Sequence, residues 1–413
     1  METKIKSDFD KTFKDSLSKN ELVIKEKNLN SFLKDGFPSK RLENWKFSDL
    51  SQIINNNIGE LNFNNSFIKN KSINNFNLIN KFDHNKIIFL NGKIEKIDFN
   101  YEDKSQITIS DEYKSVINIG KNSLLKLNNA FNNNNCLITI KSNYILKKPL
   151  VIYHLINEEI KSTNLNLQLN FLLEKNSSLR IIDIFNNMSQ KNFINIFYNF
   201  DLKRDAILKN YKIDKNNNNN IQYSFNNFEQ DTNSISETFI LSSGSKFFKN
   251  EINCNLKETF SSAFVNGIFS LDDENQHEIR TKINHLNENT KSYQLIKGVI
   301  NNQSKAVYQG KIYVDSIAQK TDGYQLSKAI LLNDKTEFNA KPELEIYADD
   351  VKCSHGSASG SLNENSIFYL RSRGLNYQEA KNLLIKGFLL DVIEKITDEE
   401  IKSFIKDIMG FKE

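Results

Sequence analysis

Two side chains that can bind a transition metal lie close together near the C-terminus of the sequence. Cys353 and His355 are separated by one serine, with Asp349 and Asp350 before them and Gly356 after them. If this segment is extended, residues two apart point to the same face, so the thiol and the imidazole would lie on one side. Thiolate and imidazole are ligands that soft and borderline metals and iron–sulfur clusters accept. The segment therefore predicts part of a metal or cluster site.

The pair is only half of a ligand set, because a closed metal site normally uses four protein ligands. Cys136 and Cys254 lie far away in the sequence and are expected to be small buried hydrophobic side chains. The missing ligands would then come from a second subunit. Four other histidines have no cysteine nearby and are expected at the surface or as hydrogen-bonded core residues: His84, His154, His277 and His285.

The motifs of several enzyme classes are absent from the sequence. No Gly-x-x-x-x-Gly-Lys-Ser/Thr loop occurs, so we expect no nucleotide site of the P-loop type, and any ATP chemistry must come from a partner. Neither a Gly-x-Ser-x-Gly elbow nor a His-Glu-x-x-His helix is present. Asp272, Asp273 and Glu274 could act as grouped carboxylates in a polysaccharide lyase or hydrolase. Three consecutive acids in a stretch rich in serine and asparagine are, however, expected to form a solvated turn.

The spacing of apolar residues predicts helices at the N-terminus and strands over the region that leads to the Cys353–His355 segment. Apolar residues are at helical spacing over the first 35 or so residues, which predicts helices ending at Gly36 and Pro38. From about Ile107 the spacing changes to two, most clearly in Leu165–Phe171, and no helix of about 10 to 15 residues interrupts the strand region. Further strands are predicted at Leu179–Phe185, Phe193–Phe200, Ala206–Ile213, Phe247–Leu256, Ala263–Leu271, His277–His285, Tyr293–Ile300, Ala306–Val314 and Glu343–Ala348.

Recurrent glycines within the strand region suggest stacked coils. Gly267, Gly298 and Gly310 each lead into a run of β-branched residues. One continuous β region of about 240 residues is long for a sandwich and natural for a solenoid. The pattern alone leaves the sandwich open.

The last fifty or so residues return to helical spacing. A helix is predicted over Asn363–Arg373, with a stop at Gly374, and a second begins at the capping-box pair Asn376 and Glu379. Thr397 with Glu400 would cap a last helix. These helices either pack on the β core or bind a partner.

Charge and cysteine content narrow the protein class. The 413 residues include 55 Lys and Arg against 51 Asp and Glu, a net charge of +4, which is far from a nucleic-acid-binding footprint. Three widely spaced cysteines argue against a disulfide framework and favour a reducing compartment. The N-terminus has no apolar signal region, and no run reaches the roughly 18 apolar residues of a membrane span. We therefore expect a cytoplasmic protein with no membrane span and no nucleic-acid partner.

Residues 341–356, KPELEIYADDVKCSHG, resemble the signature of the SufD family of iron–sulfur cluster assembly proteins. The likeness covers both ends and the C-terminal two-thirds of the chain, whereas residues 50–105 and 200–240 match only by position. Four further segments are similar to the family: Gly36–Lys46, Gln309–Val314, Ala318–Gln325 and Phe368–Gly374.

The resemblance implies a mainly β fold with three regions. These are a helical N-terminal region and lead-in at 1–105, a right-handed parallel β-helix core at 106–358 and a C-terminal helical region at 359–413. It also implies a non-ATPase scaffold subunit of a SufBCD-type complex, which assembles iron–sulfur clusters and passes them to acceptor proteins. The helices at about Asn363–Met409 would dock the SufC-like ATPase. The edge near Glu343–His355 would pair with the SufB-like paralogue, and the isolated chain could form a homodimer.

The resemblance also implies the site residues. By motif position, His355 would be a ligand for a transient iron–sulfur cluster or its iron, completed by a cysteine of the paralogue. Cys353 matches a family cysteine and faces either the site or the core. Two alternatives stay open: a SufB-like main scaffold, and a purely architectural subunit without metal ligation.

Overall fold

The central strands alternate between two sheets, so that each coil of the chain adds one strand to each sheet. The computed structural model describes residues 2–14, 16–63, 78–110, 122–132, 136–187, 189–215 and 218–411. Strands in this part are β1 Asn85–Leu90, β2 Lys93–Asp98, β3 Ile107–Ser110, β4 Cys136–Ile140, β5 Leu150–Ile156, β6 Asn164–Leu173, β7 Ser178–Asn187, β8 Phe193–Leu202, β9 Ile207–Asp214, β10 Asn218–Gln230, β11 Ile235–Ser242, β12 Ser245–Leu256, β13 Ser262–Leu271, β14 Gln276–His285, β15 Lys291–Ile300, β16 Lys305–Val314, β17 Asp322–Leu331, β18 Glu337–Ile346 and β19 Lys352–Gly360.

The strand order is that of a parallel β-solenoid. Sheet I has the order β19-β17-β15-β13-β11-β9-β7-β5-β1-β2, and sheet II has the order β18-β16-β14-β12-β10-β8-β6-β4-β3. Lys291 pairs in parallel with Ser262 and with Asp322, which are 29 and 31 residues away, so one coil takes about that length. The solenoid makes about eight turns and confirms the predicted mainly β fold with helices at both ends.

The solenoid interior is filled by every second residue of the strands, as the alternation in β6 predicts. Leu167, Leu169 and Phe171 are buried in the interior cluster. The ring of Phe200 stacks between those of Phe171 and Phe228, at centroid distances of 5.3 and 4.8 Å. Stacked strands thus place like side chains on top of one another along the solenoid axis.

The recurrent glycines do not mark the coil repeat. Gly267 pairs with Ile296 rather than with Gly298, and Gly310 lies in the other sheet. Gly310 has its own reason to be glycine, because a Cβ there would lie 2.1 Å from Oε1 of Gln325. The stacked coils are confirmed, although the three glycines that suggested them do not stack on one another.

Asparagines form tight turns at the solenoid corners. Asn176, Asn233 and Asn289 have φ angles of 57–58°, in the left-handed region that asparagine tolerates better than most residues. The side chain of Asn233 donates to Oδ1 of Asp205 one coil earlier at 3.0 Å. The corner side chains therefore also link neighbouring coils.

The N-terminal helices cover the outer face of sheet II. They are α1 Glu2–Phe13, α2 Lys19–Asp35, α3 Leu50–Asn57 and, later in the chain, α4 Ser123–Phe131. Helix α2 begins with a capping box at Ser18 and ends before Gly36, whose φ of 70° stops the helix as predicted. Trp45 is 2% exposed and stacks on Phe247 of β12, which attaches the segment after α2 to the sheet.

The C-terminal helices agree with the predicted capping and stop residues, with one correction at the start of α7. They are α5 Glu364–Ser372, α6 Tyr377–Ile393 and α7 Glu399–Ile408. Asn376 and Glu379 form the predicted capping box of α6. The cap of α7 is Asp398 and not Thr397, because the Asp398 carboxylate accepts from the backbone N–H of Ile401 at 3.1 Å.

The second half of α6 and α7 pack on the outer face of sheet I. Leu389, Val392 and Ile405 are buried in one apolar cluster with side chains of this sheet. Two ion pairs flank the contact, Arg180–Asp398 at 2.7 Å and Lys297–Asp391 at 2.8 Å. These helices are therefore part of the folded core.

The two sheets extend from Asn85 to Gly360. The proposed domain boundaries at 105/106 and 358/359 remain predictions, and residues 64–77 of the predicted lead-in lie outside the described residues. Within the part of the chain that the structure describes, none of the helices is long and apolar enough to cross a membrane.

Candidate functional site

The last strand of each sheet has an open edge. In the described chain, β18 pairs only with β16, and β19 pairs only with β17. Backbone N–H and C=O groups along an unpaired edge can pair with a strand of another chain. Pro342 lies within β18, in keeping with the restriction of proline to edge strands.

Cys353 and His355 both belong to β19 and lie on its inner face. Cys353 pairs with Gly323 of β17, and its sulfur lies 3.3 Å from where a Gly323 Cβ would be. That Cβ would also contact the core side chain of Ile312 at 3.4 Å, so this is the interior side. His355 is two residues further along the strand and shares that face. The predicted juxtaposition of thiol and imidazole is thus present.

The Cys353 thiol turns toward an apolar cluster at the end of the solenoid. The cluster consists of Ile312, Val314, Ala318 and Ala348, and the half-buried Cys353 packs against it. Burial raises the pKa of the Cys353 thiol above its usual value. The direction of this shift favours the protonated thiol, and ligation of a metal by Cys353 stays a prediction.

The His355 imidazole is exposed at the open end. Within the described residues it makes no hydrogen bond and no ion pair. Its pairing partner on β17 is Gln325, which is 1% exposed and donates from Nε2 to the backbone oxygen of Glu343 on β18 at 3.5 Å. The imidazole therefore lies above a buried amide with both ring nitrogens available.

His355 and Cys353 do not form a closed metal site by themselves. Among the described residues, no three His, Cys, Asp or Glu side chains are grouped so that they could hold a metal ion. Asp349 and Asp350, just before β19, are exposed. The supply of further ligands by a second subunit stays a prediction from the sequence.

The other cysteines and histidines lie where the sequence predicts them, buried or hydrogen-bonded. Cys136 and Cys254 are each 1% exposed. His277 and His285 are hydrogen-bonded and buried, and burial lowers their pKa to about 4 and about 3. His154 is buried beside Asp183, and His84 contacts the hydroxyl of Tyr153 at 2.9 Å.

The acidic run Asp272–Glu274 lies in the turn between β13 and β14. All three side chains are exposed, and Asp273 and Glu274 have φ angles of 58°. The expectation of a solvated turn is confirmed.

Helices α5 and α6 expose an apolar patch away from sheet I. Its side chains are strongly exposed for their type: Phe368 73%, Tyr369 56%, Tyr377 49% and Leu383 48%. Where exposed apolar side chains of this size lie together, they typically mark a protein-binding site. Basic residues lie on the same two helices or the turn between them: Arg371, Arg373, Lys381 and Lys386.

The sequence reasoning missed Gly323 and Gln325 as residues beneath the site. Both were within a segment similar to the family, but no role followed from that. The one feature of the sequence that could have identified them is their spacing. Each precedes its β19 partner by 30 residues, which is one coil of the solenoid. Without the coil length, that spacing could not be used.

Comparisons with known proteins agree with this architecture. The family model described as "SUF system FeS cluster assembly, SufBD core domain" matches residues 156–388. The chain is 26% identical over 399 residues to the iron-sulfur cluster assembly protein SufD of Escherichia coli, covering 93% of this chain and 91% of the relative.

Other similarities are local. A SufBD family protein of Synechocystis is 48% identical over 66 residues, which are 16% of this chain and 15% of that protein. The Bacillus subtilis iron-sulfur cluster assembly protein SufD is 33% identical over 82 residues, which are 20% of this chain and 19% of that protein.

Proposed function

The chain belongs to the SufBD family of the SUF system for iron–sulfur cluster assembly and is of the SufD type, and we propose that it provides His355 as a ligand for a nascent cluster. In this proposal it is a non-ATPase scaffold subunit of a SufBCD-type complex. The cluster, or its iron, is the cargo that the complex passes to acceptor proteins.

The observation that best supports the proposal is the position of His355. Its imidazole is exposed on the last strand of sheet I, has no partner in the described chain and lies on the face that opens at the end of the solenoid. A neutral imidazole is a labile, pH-sensitive ligand, which suits a cluster that must later leave.

The open edges of β18 and β19 are the proposed contact with the SufB-like paralogue. Both edges end the solenoid at the same side, so one partner could pair with both sheets. Charged side chains of both signs, including Lys341, Glu343 and Glu345, lie along β18 and could fix the register of the partner. A cysteine of the paralogue would then complete the ligand set with His355.

The apolar patch of α5 and α6 is the proposed docking surface for the SufC-like ATPase. Its aromatic and leucine side chains supply apolar contact area, and the adjacent arginines and lysines favour an acidic surface on the partner. Since the sequence has no P-loop, ATP hydrolysis belongs to that partner.

The test is the substitution His355→Ala in the chain co-expressed with its paralogue and ATPase. We expect the complex to form at normal yield and to lose most of its iron and acid-labile sulfide, because one cluster ligand is removed. Ser354→Ala is the matched control, since Ser354 lies on the same strand but on its other face. Iron and sulfide are measured per purified complex.

The alternative hypothesis, an architectural subunit without metal ligation, predicts a different result. If the chain only holds the paralogue and the ATPase in position, His355→Ala leaves iron and sulfide equal to those of wild type. Such a result would place every cluster ligand in the paralogue.

A further inference from the structure

Two ligand-type side chains share one face of β19 but differ in exposure. Cys353 is half-buried against apolar neighbours, and His355 is exposed. Strand geometry alone would treat them alike, because residues two apart on a strand have the same orientation. The two side chains differ in size, and the residues beneath them on β17 differ as well.

Beneath Cys353 lies Gly323, which has no side chain. The sulfur is 3.3 Å from the point where a Cβ on Gly323 would be, so the thiol occupies the space that a side chain would need. From there it contacts the apolar cluster around Ile312.

Beneath His355 lies Gln325, whose side chain occupies the solenoid interior next to the imidazole's strand position. Its amide crosses the interior to the opposite sheet, with Nε2 against Glu343 of β18 and Oε1 against Gly310 of β16. Gln325 is 1% exposed, so its side chain is enclosed in the interior beneath the paired residue His355.

We propose that Gly323 and Gln325 are positioning residues that decide which ligand atom this chain offers at the open end. The glycine lets the Cys353 sulfur withdraw, and the glutamine holds the His355 imidazole outward. The chain thereby offers a nitrogen ligand rather than a sulfur ligand. This inference rests on the proposed function, but the accessibility that it describes can be measured without a cluster.

The thiol arm uses the full-length chain and a maleimide reagent. Cys136 and Cys254 are almost fully buried, so the reaction of the native protein reports Cys353. We expect the labelling rate to rise in the order wild type, Gly323→Ala, Gly323→Val, with at least a tenfold increase for valine. A dilution series detects self-association, which would cover the end of the solenoid.

The imidazole arm uses diethylpyrocarbonate, with His355 modification followed by peptide mass spectrometry. We expect Gln325→Ala to slow the modification at least fivefold, because the imidazole can become buried in the space left by the Gln325 side chain. Gln325→Met has a similar length and should restore the wild-type rate. Gln294→Ala is the control, because Gln294 is a buried glutamine that pairs with Gln325 one coil deeper.

Two outcomes overturn the inference. One is a labelling rate of Cys353 that does not change across the Gly323 series. The other is equal slowing of His355 modification by Gln325→Ala and Gln294→Ala, which would indicate general loosening of the fold. Thermal unfolding of every variant shows whether the fold is kept.

The iron content of the co-expressed complex separates this inference from the proposed function. If His355→Ala has no effect on iron, the proposed function fails, whatever the accessibilities show. If His355→Ala loses iron while Gln325→Ala keeps both iron and His355 reactivity, only the positioning role fails.

Discussion

Asp214 is a buried carboxyl group whose surroundings disfavour its charge. It is 1% exposed and accepts hydrogen bonds from the backbone N–H and the hydroxyl of Ser245, both at 3.0 Å. Burial outweighs these bonds and raises the pKa of Asp214 to about 6. Because the folded-state pKa lies above the unfolded value, its contribution to stability is full below about pH 4 and is lost as the pH rises through about 6.

The substitution Asp214→Asn should remove this pH dependence. We expect the free energy of unfolding of wild type, relative to the variant, to fall by up to about 3 kcal/mol between pH 4 and pH 7.5. Urea unfolding of both proteins at each pH measures this difference. Taking the difference cancels the contribution of His285, whose lowered pKa makes the protein less stable in acid.

A difference that stays constant with pH would contradict the assignment. It would mean that Asp214 titrates alike in the folded and unfolded chains.

Substitution of an ion pair inside the solenoid should lower the free energy of unfolding more than Asp214→Asn does. Nζ of Lys212 lies 2.7 Å from Asp183, and His154 lies 2.6 Å from the same carboxylate. Burial alone would raise the pKa of Asp183, but Lys212 and His154 outweigh it and hold the pKa well below its usual range. Asp183 is therefore charged and depends on its partners.

Lys212→Met should lower the free energy of unfolding by about 3–5 kcal/mol, because it leaves the Asp183 charge unpaired in the core. The double variant Lys212→Met with Asp183→Asn should recover part of that loss. Chemical unfolding of both single variants and the double variant measures the coupling. If the effects simply add, the two residues are not coupled as the short contact indicates.

At the level of elements, the spacing of apolar residues was sufficient for most strands but not for all. Leu165–Phe171 is predicted because polar and apolar residues alternate, and β6 includes it. β1, β2, β4, β5, β10, β11 and β17 are not among the predicted strands, and in β11 and β17 serine and other polar residues interrupt the apolar positions. β18 begins at Glu337, whereas the predicted strand begins at Glu343. The first half of β18 is not predicted, because its charged residues and Pro342 resemble a loop.

The candidate site was predictable only in part, for a related reason. Residue type and spacing were sufficient to select Cys353 and His355. Their different exposures depend on Gly323 and Gln325, which lie 30 residues earlier and meet them only through the coil register. Local sequence patterns contain no information on a contact of that range.

The start of α7 tests the corrected cap. Asp398→Ala removes the side-chain oxygen that accepts from Ile401 and also the ion pair with Arg180. We expect it to lower the free energy of unfolding by about 1–2 kcal/mol. Thr397→Ala, which removes only a contact with Lys209, should cost less than half as much. Equal losses in chemical unfolding would restore Thr397 as the cap.

In the whole molecule, the two ends of the solenoid differ. At the N-terminal end, sheet I finishes with β2 and sheet II with β3, each antiparallel to its neighbour. At the C-terminal end, β18 and β19 are each parallel to their one neighbour, and the other edge of each strand is unpaired in the described chain. Since exposed strand edges are normally blocked, an end left open over both sheets favours a partner there.

The C-terminal helices combine two roles, which must be separated experimentally. Leu389, Val392 and Ile405 belong to the apolar core, so truncation after Gly374 would expose the outer face of sheet I. Such a truncation would test folding more than binding. Phe368 and Leu383, by contrast, are exposed and can be changed without opening the core.

The decisive change at this scale is Phe368→Glu combined with Leu383→Glu. We expect at least a hundredfold loss of affinity for the SufC-like ATPase, because two charges would replace two of the apolar side chains of the patch. Val23→Glu combined with Ile24→Glu is the matched control, since these two residues are 62% and 61% exposed on α2.

The affinity is measured by titrating the purified ATPase into each variant. Thermal unfolding should change little in both variants, because none of the four side chains is buried. Equal loss of ATPase binding in both would mean that added negative charge, rather than the patch, controls the association. Unchanged binding in the α5–α6 variant would place the ATPase on another surface of the molecule.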